Sequence, residues 1–313
     1  MTLPTAIQMC PFSDYLEQEL AKRFTLIRWD EMDEAARQAL LAQRDDRIGA
    51  VVTNGHVGCP DDLMTALPGL RIIAIHGVGF DKVNLPLAKE RGVGVSTTPN
   101  VLNEDVADLA IGLVISLLRE VAPADAYVRG GRWEQGDYPL GRKVTGRRFG
   151  IVGLGRIGME IGHRLAAFGP VAYTGNTPKD VPYRFVPDAL TLARESDVLI
   201  LACPSNAQTF HLVDDAILDA LGPQGYVVNI ARGAVIDEAA LIGAIDQRRI
   251  AGAALDVFEH EPHVPEALRA SPHVLLTPHI ASGTVETRRD MADMVLQNLD
   301  AVLAGDPPTH ALV

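Results

Sequence analysis

Cysteine is scarce in this chain. There are three, Cys10, Cys59 and Cys203, far apart and without a CxxC pair. That usage argues against a disulfide framework and a structural zinc site, and leads us to expect reduced thiols, no metal and a cytoplasmic location. Positive charge is also short: 28 Lys and Arg stand against 40 Asp and Glu, a formal net charge of −12. A general nucleic-acid surface needs a basic footprint to displace counterions, so that class of partner is not expected. A small anionic ligand stays open, because a site can be locally basic on an acidic protein. Long apolar runs are missing as well. The most apolar stretch, 109–118, is interrupted by Gly112 and Ser116. It falls well short of the roughly 18 apolar residues a membrane span takes. The first basic residue is Lys22, so no charged leader segment is expected either, and no membrane partner.

What is present is an ordinary soluble composition, 47% apolar and 22% charged over 313 residues, enough for two domains. Through the first hundred residues short apolar runs alternate with polar helical stretches. The runs are Ala6–Cys10, Phe24–Trp29, Ile48–Thr53, Leu70–His76 and Val93–Ser96. The stretches between them are Asp14–Arg23, Glu31–Gln43, Asp61–Leu67 and Leu85–Arg91. Strand–helix alternation predicts an α/β fold with a parallel sheet. From Asn100 to Val121 the residues Leu102, Val106, Leu109, Leu113 and Leu117 form one helical stripe, with Asn103 as the expected N-cap. A polar loop follows, Arg129 to Arg147. A second alternating block then gives strands at Phe149–Val152, Val171–Thr174, Val198–Ala202, Tyr226–Ile230, Ala253–Asp256 and Val274–Leu276. The last periodic helix, Val285–Leu303, is expected to return to the first domain.

One motif in the second block carries chemistry directly. Gly153, Gly155 and Gly158 form GxGxxG between an apolar strand and the amphipathic stretch Met159–Phe168. The first glycine permits a tight turn. The second lets backbone approach a pyrophosphate, and the third lets helix and strand pack closely. A pyrophosphate there would sit at the positive end of the helix. NAD-binding versions place a carboxylate about 20 residues on, to bond the ribose 2′-hydroxyl. Here that strand ends in Thr174, Gly175, Asn176 and Thr177, with Lys179 close by and Asp180 beyond. A neutral tip with an ammonium nearby suits a 2′-phosphate, which points to NADPH as the preferred cofactor, with NADH possible.

Three short motifs follow, each at the C-terminal end of a predicted strand: Asn229–Glu238 (NIARGAVIDE), Ala254–Pro262 (ALDVFEHEP) and Leu276–Ser282 (LTPHIAS). Upstream stand Ile75–Asp81 (IHGVGFD) and Thr97–Asp108 (TTPNVLNEDVAD). Together with the glycine loop, and in this order, they resemble the D-isomer-specific 2-hydroxyacid dehydrogenase family. The resemblance covers nearly the whole chain, and its neutral cofactor tip resembles the NADPH-preferring glyoxylate and hydroxypyruvate reductases. Asn100 departs from the glycine that relatives often carry; Asn also tolerates left-handed geometry.

The resemblance implies two Rossmann- or flavodoxin-like domains with parallel sheets and a cleft between them. Residues 1–97 with 286–313 would form the substrate-binding domain and 98–285 the dinucleotide-binding domain. It implies reduction of a short 2-oxo acid, glyoxylate or hydroxypyruvate, to the 2-hydroxy acid. Arg232, Glu261 and His279 would be catalytic. The fork of Arg232 suits a carboxylate and a carbonyl oxygen. His279 would give the proton, and Glu261 would orient its imidazole and favour the imidazolium. The N–H groups of Val78 and Gly79 would hold the substrate carboxylate. Cofactor contacts would come from Gly153, Gly155, Arg156, Ile157 and Gly158, and from Thr174, Asn176 and Thr177. Further contacts would come from Cys203, Pro204, Thr209, Ile230, Ala231 and Val106, with Asp256 on the nicotinamide carboxamide. Cys203 itself reads as a packing residue, and His76 and His260 as supporting or solvated histidines. The resemblance also implies a homodimer through the cofactor domain, with Trp133, Tyr138 and Leu140 as candidates to reach a neighbour. Two alternatives stay open: a dehydrogenase for another 2-hydroxy acid, such as a D-lactate-like one, or a non-catalytic NAD(H)-binding regulator of the same fold.

Overall fold

Alternating strands and helices build two parallel sheets in two separate units. The computed structural model describes residues 3–313. One unit runs up to Leu102 and takes in Thr284–Val313; the other is Asn103–Gly283.

The first unit has strands β1 (Thr5–Gln8), β2 (Thr25–Arg28), β3 (Ile48–Asn54), β4 (Ile72–His76) and β5 (Gly94–Ser96), in the order β2-β1-β3-β4-β5. All pair in parallel. A parallel sheet must cover both faces, so its central strands read as nearly continuous apolar runs. Alternate residues then go to opposite cores. Val51, Ile73 and Ile75 join Ile7, Leu63 and Leu67 on one face. Ala50, Val52, Ile72 and Ala74 join Leu16, Leu20, Val295 and Leu299 on the other. Each such Leu, Ile or Val, fully buried, contributes about 1.5–3 kcal/mol. Val295 and Leu299 belong to the long C-terminal helix Val285–Ala304, which Thr284 caps and Gly305 ends in a left-handed turn.

The boundaries differ from the expected 97/98 and 285/286. The chain leaves this unit only at Leu102 because hydrogen bonds hold the preceding segment. Thr98 N–H donates to Gly77 O at 2.8 Å, and Thr287 Oγ1 donates to Val101 O at 3.4 Å. Asn100 between them is left-handed, φ 76°. On return, the chain rejoins at Thr284, the N-cap of the last helix.

The second unit carries seven parallel strands: β6 (Phe149–Val152), β7 (Val171–Thr174), β8 (Arg184–Phe185), β9 (Val198–Leu201), β10 (Tyr226–Asn229), β11 (Gly252–Leu255) and β12 (Val274–Leu276). Their order is β12-β11-β10-β9-β6-β7-β8. From β6 the chain winds outward through β7 and β8, then crosses back to β9 and winds the other way. The crevice between β6 and β9 is therefore a topological switch point, where open α/β sheets bind ligands at their carboxyl ends.

Four local expectations change. Asn103 is the first residue of the helix Asn103–Arg119 rather than its cap. That helix stops short of Val121: Glu120 turns left-handed, φ 53°, and a new helix runs Val121–Arg129 with Pro123 tolerated in its first turn. The buried face of the first helix is Val106, Ala107, Ala110, Leu113, Val114 and Leu118, with Leu109 and Leu117 only half-buried. In the first unit, the helix expected from Glu31 starts at Glu34 behind the cap Asp33, after a single turn at Trp29–Glu31.

Candidate active site

The glycine loop sits at the end of β6, and each glycine meets a different steric demand. Gly153 is left-handed, φ 94°, and a Cβ there would fall 2.7 Å from the Cα of Cys203. At Gly158 a Cβ would lie 2.1 Å from the carbonyl oxygen of Gly153. At Gly155 nothing lies within 4 Å. Gly155 is also the N-cap of the helix Arg156–Leu165, and no side chain caps it. The first N–H groups of that helix thus face open space beside a residue with no Cβ, the cradle a pyrophosphate requires.

That space is a cavity of about 580 Å³ within the second unit, over the ends of β6, β7 and β9. Of the expected cofactor residues, Gly153, Gly155, Thr174, Asn176 and Thr177 line it. So do Cys203, Pro204 and Thr209. Thr209 Oγ1 donates to Pro204 O at 2.7 Å, fixing the turn after β9. Burial pushes the Cys203 thiol up to about 11, which agrees with a packing role. Lys179 lies across the loop: its Nζ donates to Leu154 O at 2.5 Å and its N–H to the hydroxyl of Tyr173 at 2.6 Å. The residues present therefore fit a dinucleotide. Gly158, Arg156, Ile157, Val106, Ile230 and Ala231 do not line this cavity. Arg156 is exposed on the first helical turn, and Val106, Ile230 and Ala231 are buried.

The sequence reading missed Asp188, a carboxylate in the cavity wall. It is the N-cap of the helix Ala189–Arg194 and accepts from Thr191 N–H at 2.7 Å and Thr191 Oγ1 at 3.0 Å. Those bonds, the N–H first, hold its carboxyl below the usual range. The Asp-x-x-Thr spacing is the signal that could have found it.

The three expected catalytic side chains come from three loops at the ends of β10, β11 and β12. Asn229 closes β10; its Oδ1 accepts from Ala231 N–H at 3.0 Å and its Nδ2 donates to Arg232 O at 2.9 Å. This clamp presents Arg232, one of whose donors, Nη1, reaches Ala231 O at 2.6 Å. Gly233 follows because the next loop is in contact: a Cβ at 233 would lie 1.9 Å from the carbonyl carbon of Phe258. In that next loop Phe258 N–H donates to Glu261 Oε1 at 2.9 Å. The other oxygen, Oε2, is 2.9 Å from Nδ1 of His279. An ionised carboxylate only accepts, so with Glu261 ionised Nδ1 carries the proton in this bond. Both side chains are about three-quarters buried, with 24% and 23% exposure.

His279 has a left-handed backbone, φ 53°, a conformation that costs a non-glycine residue about 1–2 kcal/mol. Asp256 holds it there. The Asp256 carboxylate is fully buried and accepts from Thr277 Oγ1 at 2.6 Å, Ile280 N–H at 2.9 Å and Ala281 N–H at 2.9 Å. Asp256 O accepts from His279 N–H at 2.8 Å. The same side chain is the one expected to meet the nicotinamide carboxamide. Both carboxylate oxygens are engaged by the loop that carries His279.

In the first unit, Val78 and Gly79 lie just past β4, half-buried. Gly77 is left-handed, φ 150°, and packing is tight beyond it: a Cβ at Gly55 would lie 2.9 Å from Gly79 O. His76, the last residue of β4, is buried, and burial with the nearby Arg288 cation pushes its imidazole down to about 4. His260 is exposed. Trp133, Tyr138 and Leu140 are outlying: Trp133 is 64% and Leu140 97% exposed, and Tyr138 bonds Glu120 at 2.9 Å.

A doubly wound sheet with a glycine cradle at its switch point, and an Arg, Glu and His set on the neighbouring strand ends, defines a dinucleotide-linked oxidoreductase. Comparison with known proteins agrees. Residues 111–281 match the family described as D-isomer specific 2-hydroxyacid dehydrogenase, NAD binding domain. The chain is 49% identical over 301 residues to a glyoxylate/hydroxypyruvate reductase A of Arabidopsis thaliana, covering 96% of each chain. It is 46% identical over 303 residues to a hydroxyphenylpyruvate reductase of Plectranthus scutellarioides, again covering 96% of each. Among solved structures, an NADPH-dependent glyoxylate/hydroxypyruvate reductase of Sinorhizobium meliloti, in complex with NADP and malonate, superposes with a TM-score of 0.92 at 39% identity. That match covers 100% of this chain and 97% of the other. The protein belongs to the D-isomer-specific 2-hydroxyacid dehydrogenase family.

Proposed function

We propose that this protein reduces a short 2-oxo acid, glyoxylate or hydroxypyruvate, to glycolate or D-glycerate with NADPH. The observation that carries the reading is the Nδ1 bond of His279 to Glu261, beside Arg232 on an adjoining loop of the dinucleotide-binding unit.

When bound, the nicotinamide supplies a hydride to the carbonyl carbon. Everything else is done by this chain. His279 gives its Nε2 proton to the carbonyl oxygen as that oxygen gains charge, and Glu261 holds the ring in line through Nδ1. Arg232 binds the carboxylate and carbonyl oxygen through its planar fork. The N–H groups of Val78 and Gly79 hold the substrate carboxylate. Arg156, exposed on the first turn of the helix after the glycine loop, adds a cation beside the cradle.

The NADPH preference rests on the neutral tip of β7. Thr174, Asn176 and Thr177 face the cavity with no carboxylate among them, and Lys179 brings an ammonium to its wall. The reductase names of the relatives, and the NADP held by the Sinorhizobium meliloti structure, support the same choice. The experiment is absorbance loss of NADPH and, in parallel, NADH on adding glyoxylate or hydroxypyruvate. The expected result is turnover with both acids, faster with NADPH, and a reversed cofactor preference in Thr174→Asp. Strong preference for NADH in the wild type contradicts the cofactor assignment. No turnover with either cofactor contradicts the enzymatic one and favours a binding protein.

The same reading includes a homodimer through the dinucleotide-binding unit. Its helix Val121–Arg129 and following loop expose Val121, Val128, Trp133 and Leu140, apolar side chains that a second copy would cover. Sedimentation at micromolar concentration checks it, with a dimer expected near twice the 33.6 kDa chain mass. Cytoplasmic placement fits three cysteines that are all unpaired thiols. Among the described residues no helix is long and apolar enough to cross a membrane.

A further inference from the structure

Two glutamates on the loop after β11 each hold an imidazole. Glu261 holds His279. Glu259, two residues earlier, holds His211, whose Nε2 lies 2.9 Å from Glu259 Oε1. The Nδ1 of His211 lies 3.8 Å from Asp237 Oδ2, and Phe210 stacks on the ring at 4.0 Å. Like His279, His211 has a left-handed backbone, φ 50°. A non-glycine residue held in that conformation is restrained by its surroundings. Its N–H donates to Ala234 O at 2.8 Å, in the turn that follows Arg232.

The neighbours of His211 connect it in two directions. Thr209 and Leu212, on either side, line the dinucleotide cavity. Glu259 leads the other way. Its N–H donates at 2.8 Å to Oε1 of Glu238, a residue only 7% exposed. The adjoining residue, Phe258, gives its N–H to Glu261. Glu259 is thus gripped at its backbone by Glu238 and at its side chain by His211, two residues before the carboxylate bonded to His279.

We propose that His211 is a positioning residue for His279, coupling the wall of the dinucleotide cavity to the Glu261–His279 pair through Glu259. The catalytic consequence rests on the reading of His279 as proton donor; the geometric one does not. Loss of the His211–Glu259 bond frees the loop to shift, and Glu261 then spends less time on Nδ1. Because Gln can donate to a carboxylate from a similar position, His211→Gln should retain what His211→Ala loses.

The test reads geometry and turnover separately, on the full chain. Imidazole nitrogen NMR reports which ring nitrogen of His279 carries the proton, with His279→Asn used to assign the signal. The wild type should show the Nδ1–H form. His211→Ala and Glu259→Ala should shift toward averaged tautomers, as Glu261→Gln does, and His211→Gln should stay near wild type. In NADPH-linked glyoxylate reduction, kcat should fall about tenfold in His211→Ala with KM nearly unchanged, and the double variant with Glu259→Ala should be no worse than either single one. The pH–rate profile of His211→Ala should move in the same sense as that of Glu261→Gln. A His279 signal in His211→Ala identical to wild type overturns the proposal, even if melting temperature falls. The expected signal shifts in a protein whose wild type turns over neither acid support the geometric coupling and count against the proposed function instead.

Discussion

The cofactor loop and the catalytic loops of the dinucleotide-binding unit are held by different means. The cofactor loop is made of backbone. Gly153 and Gly158 are demanded by atoms 2.7 and 2.1 Å from where a Cβ would stand, and Gly155 by a ligand that must come close. The catalytic loops are held by buried polar side chains. Asn229 clamps the Arg232 loop, Asp256 the His279 loop and Glu238 the Glu261 loop. At Gly155 the cradle has room for one more atom without a clash, whereas a braced loop loses its shape with its brace. The lesson is that recognition of a common cofactor needs only absence of side chains, while placing an acid–base group needs a second set of side chains behind it.

Three substitutions probe that contrast, in decreasing order of expected effect. Asp256→Ala removes the acceptor for Thr277, Ile280 and Ala281 and leaves buried donors unsatisfied. It should destabilise the protein by about 3 kcal/mol or more and lower kcat by on the order of a hundredfold, read by denaturant melts and steady-state rates. Wild-type activity in this variant would show that the brace is dispensable. Gly233→Ala puts a Cβ onto the carbonyl of Phe258 and must push the Arg232 and Glu261 loops apart. The expected loss is about 2 kcal/mol of stability, with a fall in kcat larger than any change in cofactor affinity. Gly155→Ala is the opposite case. Nothing lies near its Cβ and its backbone, φ −74°, is open to alanine, so melting should be nearly unchanged. Cofactor affinity, measured by fluorescence titration of NADPH, should still weaken about tenfold, because the methyl occupies the pyrophosphate's approach. Equal affinity would break the distinction between the two kinds of loop.

The same difference explains what could be read from the sequence. The strand–helix alternation gave both sheets because parallel strands buried on two faces are short apolar runs, and β3 (IGAVVTN) and β4 (IIAIH) are plain examples. The two-residue β8 has no period to detect. The break at Glu120 carries neither Gly nor Pro at the turning residue, so the stripe appeared to run on. The glycine cradle was legible because a backbone requirement leaves a fixed spacing. Arg232, Glu261 and His279 take their expected roles only from the family resemblance, since nothing in either Glu-Pro or Pro-His alone states a role; what the structure adds is the bond between the last two. The bracing role of Asp256 was not legible, because a carboxylate at a strand end can turn outward to a ligand or inward to the next loop, and nothing local announces its bonds to Thr277, Ile280 and Ala281. The His211–Glu259 pair joins residues 48 positions apart, and no local pattern announces such a bond.

The most direct test of the account compares His279→Ala with the wild type in two measurements made together, NADPH affinity and kcat for glyoxylate reduction. The account predicts affinity within about twofold of wild type and kcat lower by on the order of a thousandfold, the scale of a lost general acid. A variant that keeps more than about a tenth of wild-type kcat at equal affinity would contradict the assignment of His279 as the proton donor.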